Sequence, residues 1–258
     1  MKSSLVKNGF LLIGTLLVWG CTTEYNLATK QEEFILYGTD KEIQIGEKVA
    51  AQIENQFEVV KDVDQNERVE KILERIVAVC DRKDLVYFIK ILDKDITNAV
   101  SLPGGYLYIF SGLLERVEND DQLASVIAHE IAHITAKHGV KRVQSAYGAL
   151  IIQLASTQAG GNVAGGVNFA LISLFMEHSQ EAEYEADSLG VTYLKRAGYD
   201  TQQMLRFLEI LKKEQEKEPI RPYSYWKTHP NIAKRMAVVN QEISGKLEFK
   251  DYLNLIGD

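Results

Sequence analysis

One segment of the chain, residues 119–140, constrains the fold more than any other. Its apolar residues recur at helical spacing, and Asn119 and Gln122 have the three-residue separation of a helix-capping box. Apolar positions occupy much of the circumference of this predicted helix, which is typical of a helix that is buried within a domain. They are Leu123, Val126, Ile127, Ile131 and Ile134.

The same predicted helix carries the pattern His-Glu-x-x-His at residues 129–133. Residues four apart share a face of a helix, so His129 and His133 can bind one metal ion. Glu130 lies about a quarter turn away, where its carboxylate can reach a metal-bound water molecule. Zinc lowers the pKa of such a water towards ~7, so a carboxylate can accept its proton, as in peptide hydrolysis. The alternative is a solvated helix with two surface histidines, which the apolar neighbours disfavour.

The composition restricts what can complete a metal site. The 258 residues include only two cysteines and five histidines, so the ligands must be mainly histidines and carboxylates rather than a Cys-rich cluster. The formal net charge is −7, which disfavours nucleic acid as the main partner. Cys80 falls within a helical apolar pattern, which predicts a buried core thiol.

Acidic residues at 181–187 are candidates for a third ligand. Glu183 and Asp187 are four residues apart and share a helix face, so one can bind the metal while the other accepts a hydrogen bond from a ligand histidine. Glu181 and Glu185 point well away from Asp187, which predicts that they are solvated. From the residues alone, the roles of Glu183 and Asp187 are interchangeable.

Two residues further along the chain are candidates for catalytic roles. His229 lies in a proline-bounded loop and can be a fourth metal ligand, a group that stabilises the oxyanion in the transition state, or merely a helix cap. Arg235 can serve the same oxyanion. His138 is predicted not to be a ligand, and His178 has no predicted role.

The turn before the second predicted strand suggests a substrate site at Gly104, Gly105 and Tyr106. In zinc proteases with this helix arrangement, an edge strand beside the metal holds the substrate through main-chain hydrogen bonds. Glycines there permit a close approach of the substrate. The alternative is an ordinary core strand over residues 105–110.

Residues 1–20 are predicted to be a signal peptide, since a basic start precedes a short apolar stretch at residues 10–18. That stretch is much shorter than the ~20 residues of a membrane span. Gly20 followed by Cys21 resembles the lipobox of bacterial lipoproteins, although Trp19 is bulky for that pattern. Cys21 is therefore predicted to carry lipid. The alternatives are an uncleaved anchor helix and a cleaved signal with an incidental cysteine.

The remaining pattern predicts a tether over residues 21–38 and a single domain over residues 39–258. Helical patterns outnumber strand patterns, so the fold class is α+β, predominantly α, with a small sheet. The apolar residues 146–176 are interrupted by two glycine pairs and predict two short helices or a loop pair, with a membrane-dipping hairpin as the alternative. Helices are predicted from residue 39 and at 62–80, 119–140, 179–197, 200–218 and 232–243, and strands at 85–92 and 105–110.

The ordered set of motifs resembles the M48 family of zinc metallopeptidases, and within it periplasmic lipoprotein-type members without C-terminal helical repeats. The resemblance extends from about residue 43 to 243. It implies a zincin-like domain with one zinc ion, Glu183 as third ligand and Asp187 as the acid behind the ligands. The motifs are residues 98–105, the helix through His129 and His133 to Gly139, residues 183–187 and Thr228-His229-Pro230.

This resemblance implies a metalloendopeptidase in which Glu130 activates zinc-bound water. The expected substrates are unfolded or misassembled cell-envelope proteins. The expected location is the periplasmic face of a membrane, the outer membrane in a Gram-negative cell, with anchoring through lipid at Cys21. The alternative is a zinc-latched quality-control factor that binds envelope clients with little proteolysis. Glu130 favours the enzyme, because a purely structural site needs no water-activating carboxylate.

Overall fold

A computed structural model of the chain describes residues 22–146, 177–217 and 224–246. The predicted signal peptide, Cys21 and residues 147–176 lie outside the described residues. The described strands are β1 (Thr22–Asn26), β2 (Gln31–Ile35), β3 (Phe88–Leu92), β4 (Ala99–Leu102) and β5 (Tyr106–Phe110). The described helices are α1 (Thr39–Gln56), α2 (Val63–Val77), α3 (Ser111–Leu114), α4 (Asp120–Thr135), α5 (Gln180–Ala197), α6 (Gln202–Gln215), α7 (Tyr225–Thr228) and α8 (Ile232–Ser244), with a further helical stretch at 138–146.

Helix α4 forms the centre of the core, as its apolar circumference predicts. Asn119 caps it by accepting a hydrogen bond from the Gln122 amide at 2.9 Å. Every residue of α4 from Gln122 to Thr135 is buried, and α2, α5 and α6 pack around it. The predicted helix over 119–140 is interrupted at residues 136–137, where Lys137 adopts a left-handed φ of 56°. A helix resumes at residue 138.

The three-stranded sheet has the order β3-β5-β4, with β3 parallel and β4 antiparallel to β5. Strand β5 is therefore central, and both of its edges are hydrogen-bonded to neighbouring strands. The prediction that residues 105–110 form a substrate-binding edge strand is wrong for this reason. Of the described strands in this sheet, β4 is the edge strand that packs beside α4.

Gly104 and Gly105 serve the packing of the protein itself. Both have positive φ, at 79° and 98°. A Cβ on Gly104 would lie 2.7 Å from the Ile43 Cα, and one on Gly105 would lie 2.2 Å from the Val86 carbonyl oxygen. Only glycine fits such conformations at this contact distance. These contacts explain the glycines without a substrate, and Tyr106 stacks on Phe88 with ring centroids 5.2 Å apart.

The segment predicted as a tether contains a folded hairpin. Strands β1 and β2 pair antiparallel, and Asn26 donates a hydrogen bond to the Thr135 carbonyl at 3.2 Å. Lys137 and Lys141, which follow α4, form ion pairs with Glu24 at 2.6 Å and Glu33 at 2.7 Å. The polar composition therefore reflects pairing with the body of the domain rather than a flexible linker.

The predominantly helical α+β fold confirms the predicted fold class. Cys80 is buried at 3% exposure as a free thiol, as its helical pattern predicts. No helix within the described ranges combines the length and apolar character that crossing a bilayer requires.

Candidate metal centre

Four buried side chains converge on one point. One donor atom from each of His129, His133, Glu183 and His229 lies within 4.8 Å of the other three. The two Nε2 atoms of His129 and His133 are 3.0 Å apart. The Glu183 carboxylate lies 3.5 Å from His129 Nε2 and 3.3 Å from His133 Nε2. The predicted ligands are thus brought together, with His229 as a fourth donor.

The local structure explains this convergence. Helix α4 places His129 and His133 one turn apart on the same face. Helix α5 packs against α4 and presents both Glu183 and Asp187 to it, each fully buried. His229 follows α7 and precedes α8, in the proline-bounded segment that the sequence indicates.

Asp187 and Arg235 lie behind His129. Asp187 Oδ1 is 2.9 Å from His129 Nδ1, so this carboxylate can accept its proton and leave Nε2 directed to the donor cluster. Arg235 donates to both oxygens of Asp187, at 2.8 and 2.7 Å, and to the Tyr225 hydroxyl at 2.8 Å. Its Nη1 also lies 2.9 Å from Glu183 Oε2. The guanidinium is therefore engaged in positioning two carboxylates, which argues against its predicted role at a substrate oxyanion.

A second chain of contacts lies behind His133. His138 Nδ1 is 2.7 Å from His133 Nδ1, and His138 Nε2 is 3.0 Å from Glu185 Oε2. The His178 ring stacks on His133 with a centroid distance of 3.8 Å. When His138 Nε2–H donates to Glu185, His138 Nδ1 can accept from His133 Nδ1–H, which leaves His133 Nε2 available for metal.

These contacts correct the sequence prediction for Glu185 and give His138 and His178 a place beside the donor cluster. Glu185 was expected in solvent, but it is partly buried against His138. His138 lies outside the donor cluster, as predicted, yet it contacts a donor because the helix breaks at Lys137. His178 also belongs to the site. The sequence offers one signal for these roles: the chain has only five histidines, and two of them already belong to the predicted metal site.

Glu130 is a buried carboxylate that faces the donor cluster. It is 1% exposed, and its Oε1 lies 3.4 Å from His229 Nε2. Burial alone would raise the pKa of the Glu130 carboxyl, but nearby His229 and His129 lower it to about 2. Glu130 is therefore ionised at neutral pH and able to accept a proton.

The charge balance of the site fits a divalent cation. The carboxylates of Glu130, Glu183 and Asp187 are buried at this site with one guanidinium, that of Arg235, so buried acidic side chains outnumber the permanent cation there. Neither oxygen of Glu183 nor the Nε2 of His229 has a hydrogen-bond partner of correct geometry in the described part of the chain. Buried polar atoms without partners call for an unseen ion or water. Two or three imidazoles with one carboxylate are a donor set that zinc prefers.

Comparison with known proteins identifies the family. The family described as Peptidase family M48 matches residues 64–243, a span that includes α4, α5, His229 and Arg235. The chain belongs to peptidase family M48. The resemblance noted in the sequence is thereby confirmed, and the M48 match together with the donor set confirms zinc as the cofactor.

The M48 chain is also similar to several individual proteins. The "Beta-barrel assembly-enhancing protease" of Escherichia coli K12 is 28% identical over 208 residues, which cover 76% of this chain and 42% of that protein. A "Putative beta-barrel assembly-enhancing protease" of Vibrio cholerae is 30% identical over 187 residues, covering 68% and 38%. The "Mitochondrial metalloendopeptidase OMA1" of Schizosaccharomyces pombe is 28% identical over 176 residues, covering 67% and 51%. The chain thus spans about half or less of the length of these relatives.

Proposed function

We propose that this M48 protein is a zinc-dependent endopeptidase that cleaves unfolded or misassembled proteins of the cell envelope. The observation that carries the proposal is the buried carboxylate of Glu130 beside a complete set of zinc donors. A site that only stabilised the fold would gain nothing from a further buried carboxylate at that position. Hydrolysis of unfolded casein by the purified chain, compared with Glu130→Gln, tests this function.

Each residue of the site has its own proposed role in the reaction. His129, His133 and Glu183 hold the zinc ion, and Asp187 fixes the ring of His129. Bound zinc supplies a Lewis acid, which polarises the substrate carbonyl and makes water more acidic. Glu130 accepts the proton of the attacking water and later donates it to the leaving amine.

Strand β4 is the proposed substrate-holding strand, in place of the residues predicted in the sequence. It is the edge strand beside α4 and all four of its residues are buried. The α7 segment lies against the start of β4, where the Tyr225 amide donates to the Thr97 carbonyl at 3.0 Å. An extended peptide can pair with β4 only after the segment that carries His229 moves away.

The structure corresponds to a closed form of the site. His129, Glu130, His133, Glu183 and His229 are each at most 3% exposed. The cavity that Ser101, His133 and His178 line is only about 10 Å³, which is about the space of one water molecule. This closure favours a second candidate function, a latched quality-control factor that binds clients and cuts rarely.

His229 is the proposed latch. Its Nδ1 lies 2.7 Å from the Thr228 hydroxyl, and its ring stacks on Tyr225 with centroids 4.4 Å apart. These contacts direct Nε2 into the donor cluster, so His229 occupies the fourth position that a catalytic zinc leaves for water or substrate. The transition-state role remains the alternative for this residue.

Replacing His229 with alanine is expected to increase casein hydrolysis. If about 90% of the molecules are closed, release of the latch raises the competent fraction by roughly 10-fold. Initial rates of the wild type and His229→Ala, at equal zinc content, measure the effect. Lys227→Ala is the matched control on the neighbouring exposed position. Lost hydrolysis with zinc retained would assign His229 to the transition state and exclude the latch.

His138 is proposed to position His133 for zinc. His138→Ala removes the imidazole between His133 and Glu185, so zinc affinity is expected to fall by about 10- to 100-fold. Competition with a fluorescent chelator measures this affinity, and circular dichroism shows whether the helices persist. Glu181→Gln, an exposed change on α5, is the control. Unchanged affinity in His138→Ala would contradict the role.

Two observations support the proposed location in the cell envelope and the proposed lipid anchor. The names of the bacterial relatives associate those proteins with β-barrel assembly. The N-terminal pattern ending in Cys21 predicts a lipid anchor at the periplasmic face, in the outer membrane of a Gram-negative cell. Envelope polypeptides are the substrates that such an anchored peptidase would meet.

A further inference from the structure

The β1–β2 hairpin has two unlike faces. The face towards the body buries Asn26, Glu33 and Ile35. The outward face and the turn carry four large apolar side chains that remain in solvent. They are Tyr25 at 56% exposure, Leu27 at 65%, Phe34 at 52% and Leu36 at 44%. The strand register places Tyr25 and Phe34 on the same face, and Leu27 and Leu36 lie two residues further along the chain from them. Exposed apolar side chains grouped on one small element mark an interaction site.

The start of the hairpin identifies what covers this surface. Strand β1 begins at Thr22, directly after the predicted lipid-bearing Cys21, and the apolar residues 10–18 end four residues before it. A chain spans at most ~3.6 Å per residue, so Tyr25 lies within roughly 15 Å of Cys21. Lipid on Cys21, or an uncleaved apolar stretch at residues 10–18, would therefore enter the membrane within four residues of the first strand of the hairpin.

We propose that the outward face of the hairpin docks into the headgroup region of the phospholipid leaflet that holds the N-terminal anchor. This inference rests on the envelope location in the proposed function. Tyrosine and phenylalanine are favoured at the membrane interface, where an apolar ring and a polar group are both accommodated. Tyr25, Leu27, Phe34 and Leu36 supply that apolar contact.

The charges of the hairpin agree with shallow docking. Glu24 and Glu33 are engaged by Lys137 and Lys141 of the body, so these carboxylates are not left to face lipid unpaired. Glu32, opposite Tyr25 in the strand register, is exposed and stays at headgroup depth. The contact therefore depends on apolar side chains rather than on attraction to anionic lipid.

Docking would also orient the active site. The hairpin binds the end of α4 through Thr135, and His133 lies only two residues earlier in that helix. Docking would therefore hold the zinc centre near the leaflet in a fixed orientation. The substrate class that follows is polypeptide at the membrane surface, such as a partly inserted chain.

Quenching by brominated lipid tests this contact. The full-length anchored protein with Tyr25→Trp is reconstituted into phosphatidylcholine vesicles with brominated acyl chains, and its fluorescence is compared with that in unbrominated vesicles. The parent protein gives the background of its own tryptophans. Val63→Trp is the matched control, because Val63 is 66% exposed and belongs to α2, outside the hairpin. We expect a loss of fluorescence for the tryptophan at position 25 and none for that at position 63.

The other outcomes overturn the docking. Absent quenching at position 25 would show a protein that is tethered without docking. Equal quenching at both positions would show lipid contact that is not specific to the hairpin. A blue-shifted emission that disappears on dilution, without quenching, would assign the face to a second copy of the chain. Adding Phe34→Ser and Leu36→Ser should abolish the quenching, whereas adding Val86→Ser, at another exposed apolar position, should preserve it.

The measurement separates this inference from the proposed function. Co-sedimentation of the parent protein with vesicles tests the anchor, and quenching within the bound fraction tests the docking. Neither readout uses proteolysis, so the same quenching is expected for a protein that carries Glu130→Gln. Failure to hydrolyse casein would leave the quenching result unaffected.

Discussion

Glu130→Gln is expected to retain zinc and to hydrolyse unfolded casein about 10²- to 10⁴-fold more slowly than the wild type, the range of a lost general base. Glutamine has nearly the size of glutamate, so the site should stay packed around this 1% exposed side chain. The amide cannot accept the proton of the attacking water. Metal content and kcat/KM for a fluorogenic casein, measured on the same preparation, give both quantities.

The control for this change is Glu115→Gln, which alters an exposed glutamate outside the site. It should hydrolyse casein at the wild-type rate. Undiminished cleavage by purified Glu130→Gln would refute the endopeptidase assignment. Loss of zinc together with activity would show that Glu130 holds the site together and leave its catalytic role unsupported.

The donors that share one helix could be predicted from the sequence. His129 and His133 in α4, and Glu183 and Asp187 in α5, follow from the four-residue spacing that puts side chains on one face. The burial of α4 follows from its apolar circumference. Helix geometry is local, so these predictions needed no knowledge of which elements pack together.

The features that depend on distant pairing could not be predicted in this way. The central position of β5 depends on β3 and β4, and strand order is not encoded in any one strand. The polar pattern of residues 21–38 predicts a tether, but Glu24 and Glu33 in the hairpin find their partners at Lys137 and Lys141, over a hundred residues away. His138 reaches His133 through a backbone break at Lys137 that helical periodicity conceals.

Arg235→Met is expected to destabilise the zinc-free protein by about 3–5 kcal/mol, the cost of breaking a buried ion pair. Arg235 is 1% exposed and bonds to both oxygens of Asp187. Burial by itself lowers the pKa of Arg235. Asp187, Tyr225 and Glu183 raise it by more than that, so the pKa lies well above its ordinary value and the guanidinium stays charged. Methionine would fill part of the space and leave two buried carboxylates without a cation.

Zinc should offset part of that loss, which separates this role from simple packing. Zinc binds the folded state and adds stability that grows with its concentration, and it also neutralises Glu183. Urea unfolding of Arg235→Met should therefore show a larger loss in chelator than in zinc, while Arg235→Lys, which keeps the charge but not the paired geometry, should lie between. Arg206→Met, at an exposed arginine of α6, should change little in either condition. An equal loss with and without zinc would mean that Arg235 acts through packing alone, because its charge would then have no link to the metal-binding carboxylate.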